Sequence, residues 1–188
     1  GETSTTTSAP SGVDFYGLEQ DIEGYNMADF GWGTANAQTV TLSFWVRSSL
    51  TGTYGVVLKN NSSGYTYGAT YTINSANTWE QKSVTIAGDT SGTWIGATNG
   101  VGVRVNFSLG TGSTYSGTAG AWVGAERYSA TGATSVVGTS GATFYITGVQ
   151  LEKGSTATSF DQRAYSQELA MCQRYYWKGT INGGGVFG

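Results

Sequence analysis

Residues 100–110 read GVGVRVNFSLG, and no other stretch restricts the fold as tightly. Val101, Val103, Val105, Phe107 and Leu109 recur at every second position, with Gly102, Arg104, Asn106 and Ser108 between them. Period two puts the first set on one face of a β-strand and the second set on the other. The same pattern returns in TVTLSFWVRSS (39–49), where Val40, Leu42, Phe44 and Val46 share a face opposite Thr41, Ser43, Trp45 and Arg47. TGTYGVVLKN (51–60), GYTYGATYTI (64–73), TWEQKSVTIAG (78–88) and ATFYITGVQLEKG (142–154) complete six strong strands. Weaker strand signals lie at 18–25 and 119–127. In the last strong strand the apolar phase changes across Gly148, which predicts a bulge there. Gly, Asn, Asp and Ser clusters separate the strands and no helical period intervenes. The expected fold is therefore all-β: a two-sheet antiparallel sandwich, with which a jelly-roll strand order is compatible although the pattern alone does not derive it.

The sandwich is expected over 13–162. Residues 1–12, GETSTTTSAPSG, read as a flexible leader, and 179–188 as a glycine-rich tail. Between them, 163–178 carries the one helical pattern. Tyr165, Leu169, Cys172 and Tyr176 form a stripe expected to be buried, Ser166 is the expected N-cap, and Arg174 and Lys178 lie in the last turn. A helix this short is marginal alone and needs something to dock on. With neither an initiator Met nor a secretory signal pattern, the chain reads as a piece of something longer.

Composition removes several functions. Histidine is absent, which removes the commonest general base and every triad built on it. The single cysteine, Cys172, has no partner for a disulfide and falls on the expected buried stripe. None of the carboxylates sits in a motif that marks an acid or a nucleophile, so no catalytic residues are assigned and the chain is read as a non-enzyme. Lys and Arg total 9 and are scattered, and the net charge is −3, so no basic stripe for nucleic acid exists. No apolar run reaches the length of a membrane span, so insertion in a membrane is not expected. No cofactor is required. The acidic series Asp14, Glu19, Asp21, Glu23 leaves room for a structural Ca²⁺, and the residues of any metal site are unknown from sequence.

Aromatics are abundant, at 13%. Trp32, Tyr65, Tyr67, Trp94, Tyr115 and Trp122 all lie in Gly/Ser/Thr-rich surroundings, as loop or strand-end rings would. Sugar rings stack on such faces, with hydroxyls bonded by neighbouring polar groups, and Arg104 and Asn106 offer these on an outward strand face. These eight residues form the expected sugar site. Each ring is also a plausible packing residue. Trp79 leans toward core or sheet-edge packing, and Trp45 stands evenly between the two roles. Low charge suits neutral sugars better than strongly acidic ones, while Arg47 and Arg104 could meet a carboxylate.

The segments IEGYNMADFGWGTANAQTVTLSFWVRSSLTGTYGVVLKN, NTWEQKSVTIAGDTSGTW and ATFYITGVQLEKGSTATSFDQRAYSQELAMCQRYYWK resemble a region of bacteriophage tail-fibre and other virion proteins. The resemblance covers about 16–178. The ending around ITGVQL is also similar to the last strand of carbohydrate-binding modules with a galactose-binding-like jelly roll. Those modules often read IDDVxL, with an Asp near calcium, where this chain has Thr147 and Gly148. The resemblance implies a virion or otherwise extracellular location, a polysaccharide or cell-surface glycan as ligand, and a homotrimer. A purely structural, trimerising module is the alternative it leaves.

Overall fold

The computed structural model describes residues 9–60, 64–174 and 176. The expected leader falls largely outside these residues, and the glycine-rich tail and Lys178 wholly so. The described chain forms two compact units, one through Thr158 and one from Ser159 onward.

The first unit is a two-sheet antiparallel sandwich. Its strands are β1 (Phe15–Glu23), β2 (Val40–Ser48), β3 (Gly52–Asn60), β4 (Tyr65–Ile73), β5 (Glu80–Ile86), β6 (Val101–Thr111), β7 (Ser116–Gly117), β8 (Trp122–Val123), β9 (Ser129–Ala130) and β10 (Phe144–Lys153). The wider sheet runs β1-β6-β3-β4-β8 and the narrower one β10-β2-β5. Only the β3–β4 connection stays within a sheet as a hairpin between long strands; β1–β2, β2–β3, β4–β5 and β5–β6 each cross to the other layer. The six strong strand signals all appear, with ends within two residues of the alternating runs. The ladder between β10 and β2 slips between Thr147 and Gln150, and Gly148 sits at φ 59°, a left-handed conformation that glycine adopts without strain.

Between the sheets the alternation closes the core. Val40, Leu42, Phe44 and Val46 meet Tyr54, Val56 and Leu58 of β3, Tyr71 and Ile73 of β4, and Val103, Val105 and Phe107 of β6. Phe44 bridges the layers edge-on, 4.9 Å from the Tyr71 ring and 5.0 Å from Phe107. Tyr54 is fully buried and spends its hydroxyl on the Leu50 carbonyl and Ser48 Oγ, at 2.8 and 2.9 Å.

The outward face of the wider sheet departs from expectation. Gly102, Asn106 and Ser108 were expected to face solvent, and all three are buried. Met27 and Gly24 lie against Gly102, and the segment 112–137, which contains β7 and β9, folds across the rest of this face. Asn106 Nδ2 donates to the Tyr128 carbonyl, Thr66 Oγ1 to that of Ala125, and Lys59 pairs with Glu126. Gly55 lets the segment lie this close, since a Cβ there would sit 2.5 Å from Ser129 Oγ and 3.0 Å from Ala130 N. Burial opposes the charge on Lys59, but hydrogen bonds to Glu126 and Tyr128 outweigh it and raise its pKa; the same bond holds Glu126 below the usual carboxylate range.

The link from β4 to β5 is locked by one carboxylate. Glu80 accepts hydrogen bonds from Lys82 Nζ at 2.6 Å and from the Ser75 and Asn74 amides at 2.8 and 2.9 Å. These bonds, Lys82 first, hold its pKa at about 2 against an ordinary 4.5. A depressed acid stabilises the fold fully above its unfolded value, and that share is lost as pH falls through the folded value. Glu80→Gln is therefore expected to flatten the pH dependence of unfolding between 4.5 and 2. Urea titrations at stepped pH would show it; an unchanged slope in the variant would exclude this role.

In the second unit a helix, α1, spans Tyr165–Gln173. Its N-cap is Ala164 rather than Ser166, which lies inside the first turn, and no side chain caps it. None of its residues is buried, so the expected buried stripe is not formed and Cys172 is exposed. Arg163 Nη1 donates to Glu168 Oε1 at 3.1 Å across the helix start, a charge that suits the N-terminal dipole.

Candidate functional site

The expected sugar-binding residues separate into three groups. Five of the rings come together, but around one another. Trp122 on β8 lies 5.3 Å from Trp32, 5.5 Å from Trp94, 5.4 Å from Tyr67 and 5.7 Å from Tyr65, the last nearly parallel at 6°. Trp32 also meets Trp94 at 4.8 Å and Phe30 at 5.5 Å. Their indole N–H groups are spent internally, Trp32 on the Gln38 carbonyl, Trp122 on that of Ala87 and Trp94 on Asp89 Oδ2, each at 2.8 Å. Trp32 and Tyr67 are 6% and 8% exposed, which leaves no open face for a sugar; Trp94, Trp122 and Tyr65 are half-buried. Gly33 and Gly92 let these rings pack closely, since a Cβ would sit 3.0 Å from Trp94 Cδ1 at the first and 3.2 Å from Trp94 Nε1 at the second, where open loops were expected.

The polar pair is likewise committed. Arg104 bonds both carboxylate oxygens of Asp21, at 2.6 and 3.1 Å, with Glu19 at 3.7 Å. Asn106 lies beneath Tyr128. Tyr115 packs edge-on against Tyr128 and Phe15, at 5.4 and 5.6 Å. Among the acidic series, Asp14 accepts from the Ser11 amide, and Glu19 and Asp21 face Arg104. Among the described residues no three His, Cys, Asp or Glu side chains converge as a metal site would need.

The open aromatic surface is elsewhere, on the outward face of β10-β2-β5. Strand alternation turns Trp45 and Arg47 away from the core that holds Phe44 and Val46. Trp45 pairs with Thr147 on one side and Gln81 on the other, and Arg47 pairs with Tyr145. Trp79 immediately precedes β5 and reaches within 6.5 Å of the Tyr145 ring. Arg47 Cζ lies 5.6 Å from the centre of the same ring, within cation–π range. Trp45, Trp79 and Tyr145 are 42%, 43% and 40% exposed. Gln81, Ser83 and Thr147 are exposed between and beside them.

The far end of this face is closed. Thr41 Oγ1 donates to the Gly154 carbonyl and Thr85 Oγ1 to that of Ser155, so the chain after β10 doubles back over it. Glu152 anchors the return by accepting from the Thr158 amide and hydroxyl at 2.8 and 2.7 Å, and those bonds lower its pKa. What stays open is a shallow platform of three rings, on β10, on β2 and just before β5, with amide and hydroxyl groups between them. Trp79, which was expected to lean toward core or sheet-edge packing, is open to solvent instead, and Trp45, evenly balanced between the two roles, is exposed because it sits on the polar side of a clean alternation.

No protein-family model matches the chain, and no curated protein matches it. Among solved structures the chain is similar to one described as "CBM4 structure and function", at 19% identity and a TM-score of 0.37, over 77% of this chain and 80% of that one. Superposition at that level carries no residue correspondence and no functional reading.

Proposed function

We propose that this chain is a non-catalytic carbohydrate-binding module whose ligand lies on the platform of Trp45, Trp79 and Tyr145. The observation that carries the reading is the exposure of three rings on one sheet face, interleaved with Gln81 and Thr147. Exposed aromatics on a rigid strand lattice are costly to leave in water and easy to cover with the C–H face of a pyranose. The polar groups between them match the sugar's hydroxyls, where a purely apolar partner would leave them unsatisfied. An open platform rather than a deep cavity suits a polymer, which can run across it.

The test is affinity electrophoresis against soluble polysaccharides. Trp45→Ala and Trp79→Ala are each expected to weaken binding about tenfold or more, equivalent to ~1.4 kcal/mol, with the fold unchanged. Full binding in the double variant would overturn this site and return attention to the half-buried rim of Trp94 and Trp122.

The resemblance of the TLSFWVRSS and GVQLE segments to phage tail-fibre proteins supports a virion setting, outside the cell, with a host-surface or environmental polysaccharide as ligand. A structural, trimerising role is the second reading. It is favoured by edge strand β1, where Phe15, Tyr16 and Leu18 are all exposed. Light scattering on the same samples distinguishes a trimer from a monomer.

A further inference from the structure

Among the described residues, Arg47 on the platform has no carboxylate partner. Lys59, Lys82, Arg104 and Lys153 each meet a carboxylate, and Arg127 donates to the Thr114 carbonyl. Among the described residues the Arg47 side chain has no hydrogen-bond acceptor; its polar neighbour is the Tyr145 ring. Its Nε is shut off from solvent and unpartnered, a condition that native interiors rarely leave unmet. The carboxylate on the same sheet face is Glu152, opposite Thr41 at the closed end, and it is occupied by Thr158. Glu80, on the neighbouring strand, is occupied by Lys82 and the turn amides.

We infer that the platform takes an acidic polysaccharide, one whose uronic-acid residue stacks on Trp45 or Trp79 and places its carboxylate on the outer guanidinium nitrogens of Arg47. This rests on the carbohydrate-binding reading above and sharpens it against the neutral sugars that overall charge favours. A guanidinium held over an aromatic ring is partly desolvated and oriented, and its planar fork matches a carboxylate with two parallel hydrogen bonds. Among the described residues the strand positions on this face beside the rings and Glu152 (Thr41, Ser43, Gln81, Ser83, Thr85, Thr147) offer no second cation, so the selectivity falls on this one side chain.

The experiment is calorimetry and affinity electrophoresis of the chain with polygalacturonate, alginate, fully methyl-esterified polygalacturonate and a neutral galactan. Binding to a uronate polymer is expected to fall at least tenfold on methyl esterification, to weaken with added salt, and to fall at least tenfold in Arg47→Gln. Arg47→Lys should retain part of the binding, as a charge without the fork. Urea midpoints matching the parent show that the variants are folded. If the galactan and the methyl ester bind as well as the uronates, and Arg47→Gln is neutral while Trp45→Ala is not, the acidic ligand is overturned and the carbohydrate reading stands. If none of the four polymers binds to the folded chain, both fall.

Discussion

Trp122→Ala is expected to destabilise the first unit by about 3 kcal/mol, at the lower end of the range for deleting a packed Trp. Trp45→Ala should cost below ~1 kcal/mol, as surface changes do. Both remove an indole from a strand, and the difference lies in what the ring touches. Trp122 contacts four aromatic rings and donates to the Ala87 carbonyl, so truncation opens a hole among Trp32, Trp94, Tyr65 and Tyr67 and orphans an acceptor. It also removes the side chain that ties β8, a two-residue strand at the sheet edge, to the ring cluster, leaving its backbone ladder to β4. Trp45 projects from the centre of β2 into solvent, and its backbone ladder persists in the variant. Urea unfolding with unchanged slope would report the two midpoints. If Trp122→Ala left stability intact and removed sugar binding, the ring cluster would be the ligand site and the platform would lose its role.

The contrast shows which parts of this molecule were legible in its sequence. Strands were, because alternation records burial between two sheets directly. Val40 to Val46 and Val103 to Phe107 face the core as the pattern reads, and the phase change at Gly148 is a real slip in the ladder. The segment folded over the wider sheet was not. Asn106 and Ser108 occupy polar positions of a clean strand, and nothing in the period says that residues 112–137 will fold over them. Long-range closure also explains the aromatics. Trp32, Trp94 and Trp122 lie in three separate glycine-rich stretches, and only the crossing of the chain between sheets brings their rings within 6 Å of one another. The helix shows a different limit. Ser166 looks like a cap by type, yet the backbone begins its turn at Tyr165, one residue before it.

Asp89→Ala is the second large effect, expected to cost about 3 kcal/mol through unsatisfied buried donors. Asp89 is 2% exposed, and its carboxylate does three tasks at once. Oδ1 accepts from the Ser91 amide at 3.1 Å, and Oδ2 accepts from the Gly92 amide and from Trp94 Nε1, both at 2.8 Å. Its own carbonyl accepts from the Gly33 amide at 2.7 Å, which ties this turn to the loop bearing Trp32. Removing the carboxylate leaves two backbone donors and an indole N–H without partners and frees Trp94 from its place against Trp32. Asp89→Asn separates charge from geometry. A carboxylate accepts at both oxygens, whereas an amide must turn its NH₂ toward either the Ser91 donor or the Gly92 and Trp94 donors. Asn should therefore recover only part of the loss, with about 1–2 kcal/mol still missing. Full recovery by Asn would mean that the turn needs one acceptor and that Trp94 is held by packing alone. Trp79 stands just before the start of β5 and Asp89 lies past its far end, so platform binding should survive Asp89→Asn at any temperature where the fold does.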